Sequence, residues 1–333
     1  MKRRTFVQTA GALSALVSAA PAFAQPKAPD KVVLLLNWYV YGEHAPFFLG
    51  KEAGIYAAEG IDLDIQEGRG SAVTIQAVAA KTVPFGYADV PTMIRAAAKG
   101  APVTSPGVLL QTSPMAVMGF VEKNIKKPDD LKGKTVATTP GDSMSQIWPL
   151  FLKKTGLKEG ELKIVAGDAQ TKLNAVINGQ ADVLLGYSMD QSMKIKDATG
   201  KSVNAIMFAD YGIHLVSSGV IANRDTLKDN PDLVRRFMSA TTKAIEASIK
   251  DPKAAVDAML KANAKAGKPD TLLEGFQLTI PLYSTPETKG KRPFQVTDAN
   301  MTDSVALLIA YGGLDPAAKD QVKTFYTRDF LPK

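Results

Sequence analysis

From residue 32 onward, short apolar runs alternate with stretches of helical length and period, joined by loops rich in Gly, Pro, Asn or Asp. The clearest instance is residues 32–65, VVLLLNWYVYGEHAPFFLGKEAGIYAAEGIDLDI. The run at 32–36 has the length and β-branched start of a buried strand and stops at Asn37 and Trp38. Pro46 stands where a first helical turn tolerates a missing N–H, and Gly54 where a helix end needs a left-handed residue. A second strand follows at 61–66. Asn37, Trp38, Tyr39, Tyr41, Glu43 and His44 therefore fall in a loop at the carboxyl end of a strand, where open α/β sheets hold their ligands.

The same unit recurs. Glu67-Gly68-Arg69-Gly70-Ser71 joins the second strand to a helix at 72–80, with Ser71 as the expected N-cap and free backbone N–H groups for a polar or anionic ligand. A plain turn and cap is the alternative. Arg69 is a candidate clamp for a carboxylate or phosphate, although a solvated arginine is the commoner outcome. A strand at 83–89 ends in Tyr87 and Asp89 before a helix at 91–99. Strand-like runs follow at 108–111 and 115–121, then a strand at 134–138 and the loop Thr139-Pro140-Gly141-Asp142-Ser143, which opens a helix to about residue 154. Further strands are expected at 161–166 and 181–187, with a helix at 169–178 between them, and one at 215–222 after Tyr211 and His214. Beyond residue 223 the period is helical, with Leu233, Phe237, Ala240, Ala244 and Ala247 marking one face of 231–250.

The stretch "LLLNW…HAPFFLGKEAGIYAAEGIDLDI", the "DLKGK" at 130–134 and the strand 181–187 carry a resemblance. They are similar to the periplasmic substrate-binding proteins related to thiamine pyrimidine synthase, a branch that also holds nitrate, sulfonate and taurine binders. The resemblance covers nearly all of the chain after its leader. It implies an α/β, two-lobed periplasmic binding protein fold of type II-like plan, crossed twice between lobes, at 108–121 and 214–222. Residues 25–115 and 220–333 would form the first lobe and 116–219 the second. Tyr187 and Asp190 take the places of an aromatic and an acid that face the ligand in the family, and Tyr211 lies in a further segment with family parallels. The implied partners are a small-molecule ligand and an ABC permease in the inner membrane, with the receptor itself a monomer. Val83-Pro84 departs from the family's usual Ala-Asp at the start of its strand, away from the ligand-facing end.

Residues 1–24 read as a leader: Lys2, Arg3 and Arg4, a mildly apolar core, then Ala22-Phe23-Ala24 as a small-x-small cleavage site. The paired arginines suggest twin-arginine export, with a general secretory signal as the alternative. Either implies a periplasmic protein. The formal charge of +7 falls by three without the leader, and the other cations are scattered among acids, which gives no sign of a nucleic-acid surface. The chain has no cysteine, hence neither a disulfide nor a lipidated cysteine anchor. About 300 residues remain, more than one core usually organises.

Ringed together, Asn37, Trp38, Tyr39, His44, Arg69, Ser71, Tyr87, Asp89, Ser143, Tyr187, Asp190 and Tyr211 suit a small planar ligand stacked on Trp38 and hydrogen-bonded at its edges. A core role for Trp38 is the alternative. An aromatic heterocycle such as a thiamine pyrimidine precursor is the expected cargo; a small anion, sulfonate or aromatic carboxylate held at the helix starts Ser71 and Ser143 is the second choice. Met93, Met115, Met118, Met189 and Met193 are expected to fill the core. Catalysis has less support. The two histidines, His44 and His214, have no metal-binding spacing, so neither a metal nor a cofactor is expected. Gly141-Asp142-Ser143 looks like the block of Gly-Asp-Ser esterases but lies mid-chain, with no Asp-x-x-His near the end. His44 matches the place of the synthase's active-site histidine, yet that enzyme also needs a cysteine cluster, which this chain lacks.

Overall fold

Residues 28–333 are described by a computed structural model; the leader expected at 1–24 lies outside them. Ten strands are assigned among these residues: β1 (Asp30–Leu35), β2 (Ile61–Gln66), β3 (Phe85–Asp89), β4 (Val103–Val108), β5 (Met115–Phe120), β6 (Thr135–Thr138), β7 (Lys163–Ala166), β8 (Val183–Tyr187), β9 (Val203–Met207) and β10 (Ser218–Asn223). They form two five-stranded sheets, ordered β2-β1-β3-β10-β4 and β7-β6-β8-β5-β9. Each sheet has four strands running one way and one antiparallel strand supplied by the chain as it arrives from the other sheet. In the first that strand is β10, in the second β5. This is the two-lobed periplasmic binding protein arrangement.

The connections run through 109–114 and 208–217, displaced from the expected 108–121 and 214–222. They lie side by side: Leu109 and Leu110 N–H donate to the Ser218 carbonyl at 3.0 and 2.9 Å, and Ser217 N–H to the Leu110 carbonyl at 2.8 Å. The run at 108–111, expected as a strand, is therefore mostly connection, and the strand is β4 just before it. Pro106 and Gly107 hide β4 from a reading of propensity; Pro106 is tolerated because it lies where the β4–β10 register shifts, between Val220 and Ala222, while the outer side of β4 is covered where Ser105 exchanges backbone hydrogen bonds with Phe325 and Thr327.

Helices carry the chain between strands: α1 (Ala45–Glu52), α2 (Ile55–Ala58), α3 (Ser71–Ala79) and α4 (Val90–Ala98) in the first lobe, α5 (Ser143–Thr155), α6 (Ala169–Ile177) and α7 (Gln191–Thr199) in the second. The C-terminal return is α8 (Arg224–Asp229), α9 (Pro231–Lys250), α10 (Pro252–Ala262), α11 (Pro269–Thr279) and α12 (Asp298–Ala310). The apolar face read in 231–250 packs α9 on α1 and stacks Phe237 on Phe85 of β3 at 4.0 Å between ring centroids. The return packs on the first lobe as expected, with one addition: α11 also reaches α7 of the second, through Lys196–Glu274 and the hydrogen bond from Thr271 to Asp197.

The carboxyl ends of β1, β6 and β8 and the starts of α3 and α5 meet between the lobes. Here the lobes touch backbone on backbone, Ala72 N–H donating to the Gly141 carbonyl at 3.3 Å. Gly70, at φ +129°, leaves no room for a side chain: a Cβ would stand 2.8 Å from the Gly141 oxygen. Gly70→Ala should therefore hold the lobes apart. A larger radius of gyration in solution scattering, with the circular dichroism of a folded protein, is the expected result; an unchanged radius would show that this contact does not set the distance between the lobes.

Candidate functional site

A small cavity lies where the lobes meet. The first lobe contributes Asn37, Trp38 and Tyr41 from the loop after β1 and Ser71 from the start of α3. The second contributes Asp142, Ser143 and Met144 at the start of α5, Lys172 from α6, Gly186 and Tyr187 at the end of β8, and Asp190 and Gln191 at the start of α7. Of the residues singled out by sequence, Asn37, Trp38, Ser71, Ser143, Tyr187 and Asp190 line it. Tyr39 and Arg69 border an adjoining outer cleft that also touches Trp38, and Arg69 is exposed there. His44, Tyr87 and Asp89 are fully buried outside the lining. Tyr211 lies apart, half-buried and edge-on to Phe151 at 6.1 Å. Its loop follows β9, a strand missing from the sequence reading.

Local chemistry explains these positions. Asp142 caps α5 by accepting from Ser145 N–H at 2.7 Å, and Gly141 at φ +82° makes the turn before it. Ser71 is not the cap of α3, as expected; Gly70 holds that position, and the Ser71 hydroxyl accepts from Asp89 N–H at 3.1 Å, tying α3 to β3. Asp89 in turn caps α4 through Thr92 N–H at 2.9 Å. Tyr187 Oη lies 3.2 Å from Ser143 Oγ and 3.1 Å from Ser217 Oγ, so it joins α5 to the second connection.

The cavity is rich in acid. Lys172, 2% exposed, pairs with Asp142 at 3.1 Å and holds its ammonium 5.1 Å from the centre of the Trp38 ring. Asp190 accepts from Tyr39 Oη at 2.8 Å and from Gln191; burial pushes its carboxyl up to about 6 against the pull of Lys194 and Lys172. Lys194 lies 4.6 Å over the Tyr39 ring. The Trp38 indole N–H has no partner within the protein.

A profile of the NMT1/THI5-like family matches residues 42–255. The chain belongs to that family. Among its relatives are the riboflavin-binding protein RibY of Chloroflexus aurantiacus, 25% identical with 96% of this chain and 91% of that one covered, and a formylaminopyrimidine-binding protein of Halalkalibacterium halodurans, 25% identical with 73% and 74% covered. A Legionella pneumophila relative named 4-amino-5-hydroxymethyl-2-methylpyrimidine phosphate synthase is 26% identical, with 77% and 80% covered. Among solved structures, the alkanesulfonate-binding protein SsuA of Xanthomonas axonopodis superposes with a TM-score of 0.69 at 15% identity, covering 90% of this chain and 98% of that one.

Behind the cavity of this family member is a second polar layer. His44 Nε2 donates to Asn37 Oδ1 at 2.9 Å, and burial drives the imidazole down to about 3, so the ring is neutral at ordinary pH and orients the Asn37 amide. Glu43 accepts from Tyr87 Oη at 2.5 Å and from Tyr41 Oη, with burial raising it to about 7. Burial likewise raises Asp89 to about 6. Ser143, the serine of the esterase-like block, is bonded to Tyr187 rather than to an imidazole. Among the described residues no group of three or more His, Asp or Glu side chains is placed to hold a metal ion.

Sequence reading left Tyr41, Asp142, Lys172 and Gln191 out of the site. The signal for Lys172 was present: it shares the buried face of α6 with Ala175 and Val176, an unusual place for a lysine. Because the Lys172–Asp142 pair is buried, Lys172→Ala should cost about 3–5 kcal/mol in urea unfolding, and adding Asp142→Asn should restore much of it; a single-variant cost below about 1 kcal/mol would mean that the pair is solvated.

The acids also set a pH dependence. Asp190, 3.8 unfolded and about 6 folded, contributes stability that is fully present below about pH 4 and lost as the pH rises through 6. Asp190→Asn should remove that loss, making the protein about 1–3 kcal/mol more stable than wild type at pH 7.5 and no more stable at pH 3.5. A wild-type-minus-variant difference that is flat across this range would contradict the burial of a strained carboxyl.

Proposed function

We propose that this protein is a periplasmic solute receptor of an ABC importer and that its cargo is a small nitrogen heterocycle of the aminopyrimidine class, carrying N–H donors. The observation that carries the reading is the composition of the cavity: an indole bordering it, a buried Asp190 with acceptor capacity, and Asn37, Ser143 and Tyr187 around the edges. A donor-bearing ring satisfies Asp190 and gains an aromatic neighbour in Trp38. The pyrimidine-binding and flavin-binding names of the relatives agree with such a ligand.

The competing anion reading is weakened by the same residues. The Asp142 carboxylate already occupies the start of α5, where an anion would sit, and Lys172, the cation in the lining, is neutralised by it. Arg69 is outside in the cleft. A synthase reading would need a reactive His44, whereas this imidazole is fully buried behind Asn37, held neutral, and lies in a chain without cysteine. Export places the receptor where an inner-membrane permease can receive the cargo as the lobes separate.

Calorimetric titration with aminopyrimidines, flavins, aromatic carboxylates, sulfonates and nitrate tests the proposal. The expected result is binding of an aminopyrimidine or related heterocycle, weakened at least about tenfold by Trp38→Ala. Binding of sulfonate or nitrate alone, insensitive to Trp38→Ala, would overturn the heterocycle reading, and turnover of a bound compound would overturn the receptor reading.

A further inference from the structure

Asp190 stands at the start of α7 in the second lobe, 3% exposed, and its cover is completed by the first lobe. The Tyr39 hydroxyl donates to it across the gap at 2.8 Å, and Tyr41 stands with it between the small cavity described above and a smaller apolar space between α7 and α11. Met193, expected in the core, is half-buried on the wall of that second space.

The groups that face Asp190 divide by lobe. From its own lobe come Gln191, which donates to it, and two cations, Lys194 on α7 and Lys172 on α6. From the first lobe come the phenols of Tyr39 and Tyr41 and, behind Tyr41, the carboxyl of Glu43, whose charged form opposes that of Asp190. The charged groups that α11 and the residue before it turn toward α7 are met farther along that helix: Glu274 by Lys196 at 3.1 Å and Lys268 by Asp197 at 3.3 Å.

Parting the lobes removes what raises this carboxyl and leaves what lowers it. Burial, which pushes it up to about 6, depends on the first lobe, whereas Lys194 and Lys172 stay beside Asp190 in the second. The donation from Tyr39, which favours the charged form, is lost as well, but burial outweighs it while the lobes are together. The proton is therefore held more tightly in the closed state than in the open one, and a state that binds a ligand more tightly gains population as that ligand is supplied. Two other buried acids are uncovered less by this motion. Glu43 is bonded to Tyr41 and Tyr87, and Asp89 to Thr92, all within the first lobe.

We propose that closure of the ligand-free protein is proton-linked, with Asp190 as the group that takes up the proton: acid draws the lobes together and neutral pH loosens them. The device goes beyond the identity of the cargo, since it acts before any ligand enters.

Amide hydrogen exchange at Ala72, followed by NMR in the ligand-free mature chain, tests it. This N–H lies in the first turn of α3, where a helix offers no acceptor, and it donates instead to the Gly141 carbonyl of the second lobe. Its protection therefore reads the closing equilibrium, even where the open state is rare. Corrected for the intrinsic pH dependence of exchange, protection should fall about tenfold or more between about pH 4.5 and pH 7.5 in the wild type. Asp190→Asn should show no such fall. Glu43→Gln should keep the wild-type fall, and it carries the test should Asp190→Asn not fold. Equal protection at both pH values in the wild type, an undiminished fall in Asp190→Asn, or abolition of the fall by Glu43→Gln overturns the proposal.

Discussion

The constraint on which the rest of this structure depends is the burial of charge where two lobes meet. Asp142, Lys172, Asp190, Glu43 and Asp89 are all nearly or fully removed from water there. Such groups are tolerated inside a protein only when paired, hydrogen-bonded or neutralised. Each finds a different solution. Asp142 uses Lys172 and the start of α5, Asp89 the start of α4, Glu43 two phenols, and Asp190 a phenol and an amide. The loop after β1 supplies much of this hydrogen bonding, which explains why so short a segment carries an asparagine, two tyrosines, a glutamate and a histidine.

The two lobes are held by a related device. Trp38 and Tyr39, adjacent in the first lobe, each lie near a lysine of the second, Lys172 at 5.1 Å and Lys194 at 4.6 Å. Cation–π contacts of this kind, partly desolvated, contribute on the order of 1–2 kcal/mol each. They are lost when the lobes part, because the two halves of each contact belong to different lobes. The Tyr39 to Asp190 hydrogen bond also crosses the gap, so the residue proposed as the ligand's acceptor is also one that reports closure. In the proposed receptor, ligand contact and lobe contact therefore share side chains, and a ligand that engages Asp190 alters the energy of closure directly.

How much of this was legible in the sequence depends on whether the cause was local. The strand-loop-helix unit at 32–65 was, because a strand that ends at Asn37, Pro46 in the first turn of α1 and Gly54 at φ +71° are local requirements that leave a mark on the sequence. The two-sheet plan followed from repetition of that unit together with the family resemblance. β4 was not legible, since a paired strand holds Pro106 only where its ladder with β10 shifts register, and that is a fact about the sheet. Ser71 was given the wrong local task because Gly70 at φ +129° occupies the cap position and frees the hydroxyl for Asp89. Lys172 was passed over because its partners, Asp142 and Trp38, are distant in the chain and come from different elements.

The cargo's chemistry is constrained by what the protein has already used. A cavity whose one lysine is matched by Asp142, and whose second carboxylate is held up near 6 by burial, gains most from a partner that donates hydrogen bonds or carries positive charge. An anion placed there would stand beside Asp142 and Asp190 with no uncommitted cation in the lining to meet it. The resemblance in fold to an alkanesulfonate-binding protein therefore says little about specificity, because fold does not set the ligand, and here a carboxylate stands on the N-terminus of α5, a position that otherwise favours an anion. That carboxylate is Asp142, and the lysine it holds faces the Trp38 indole.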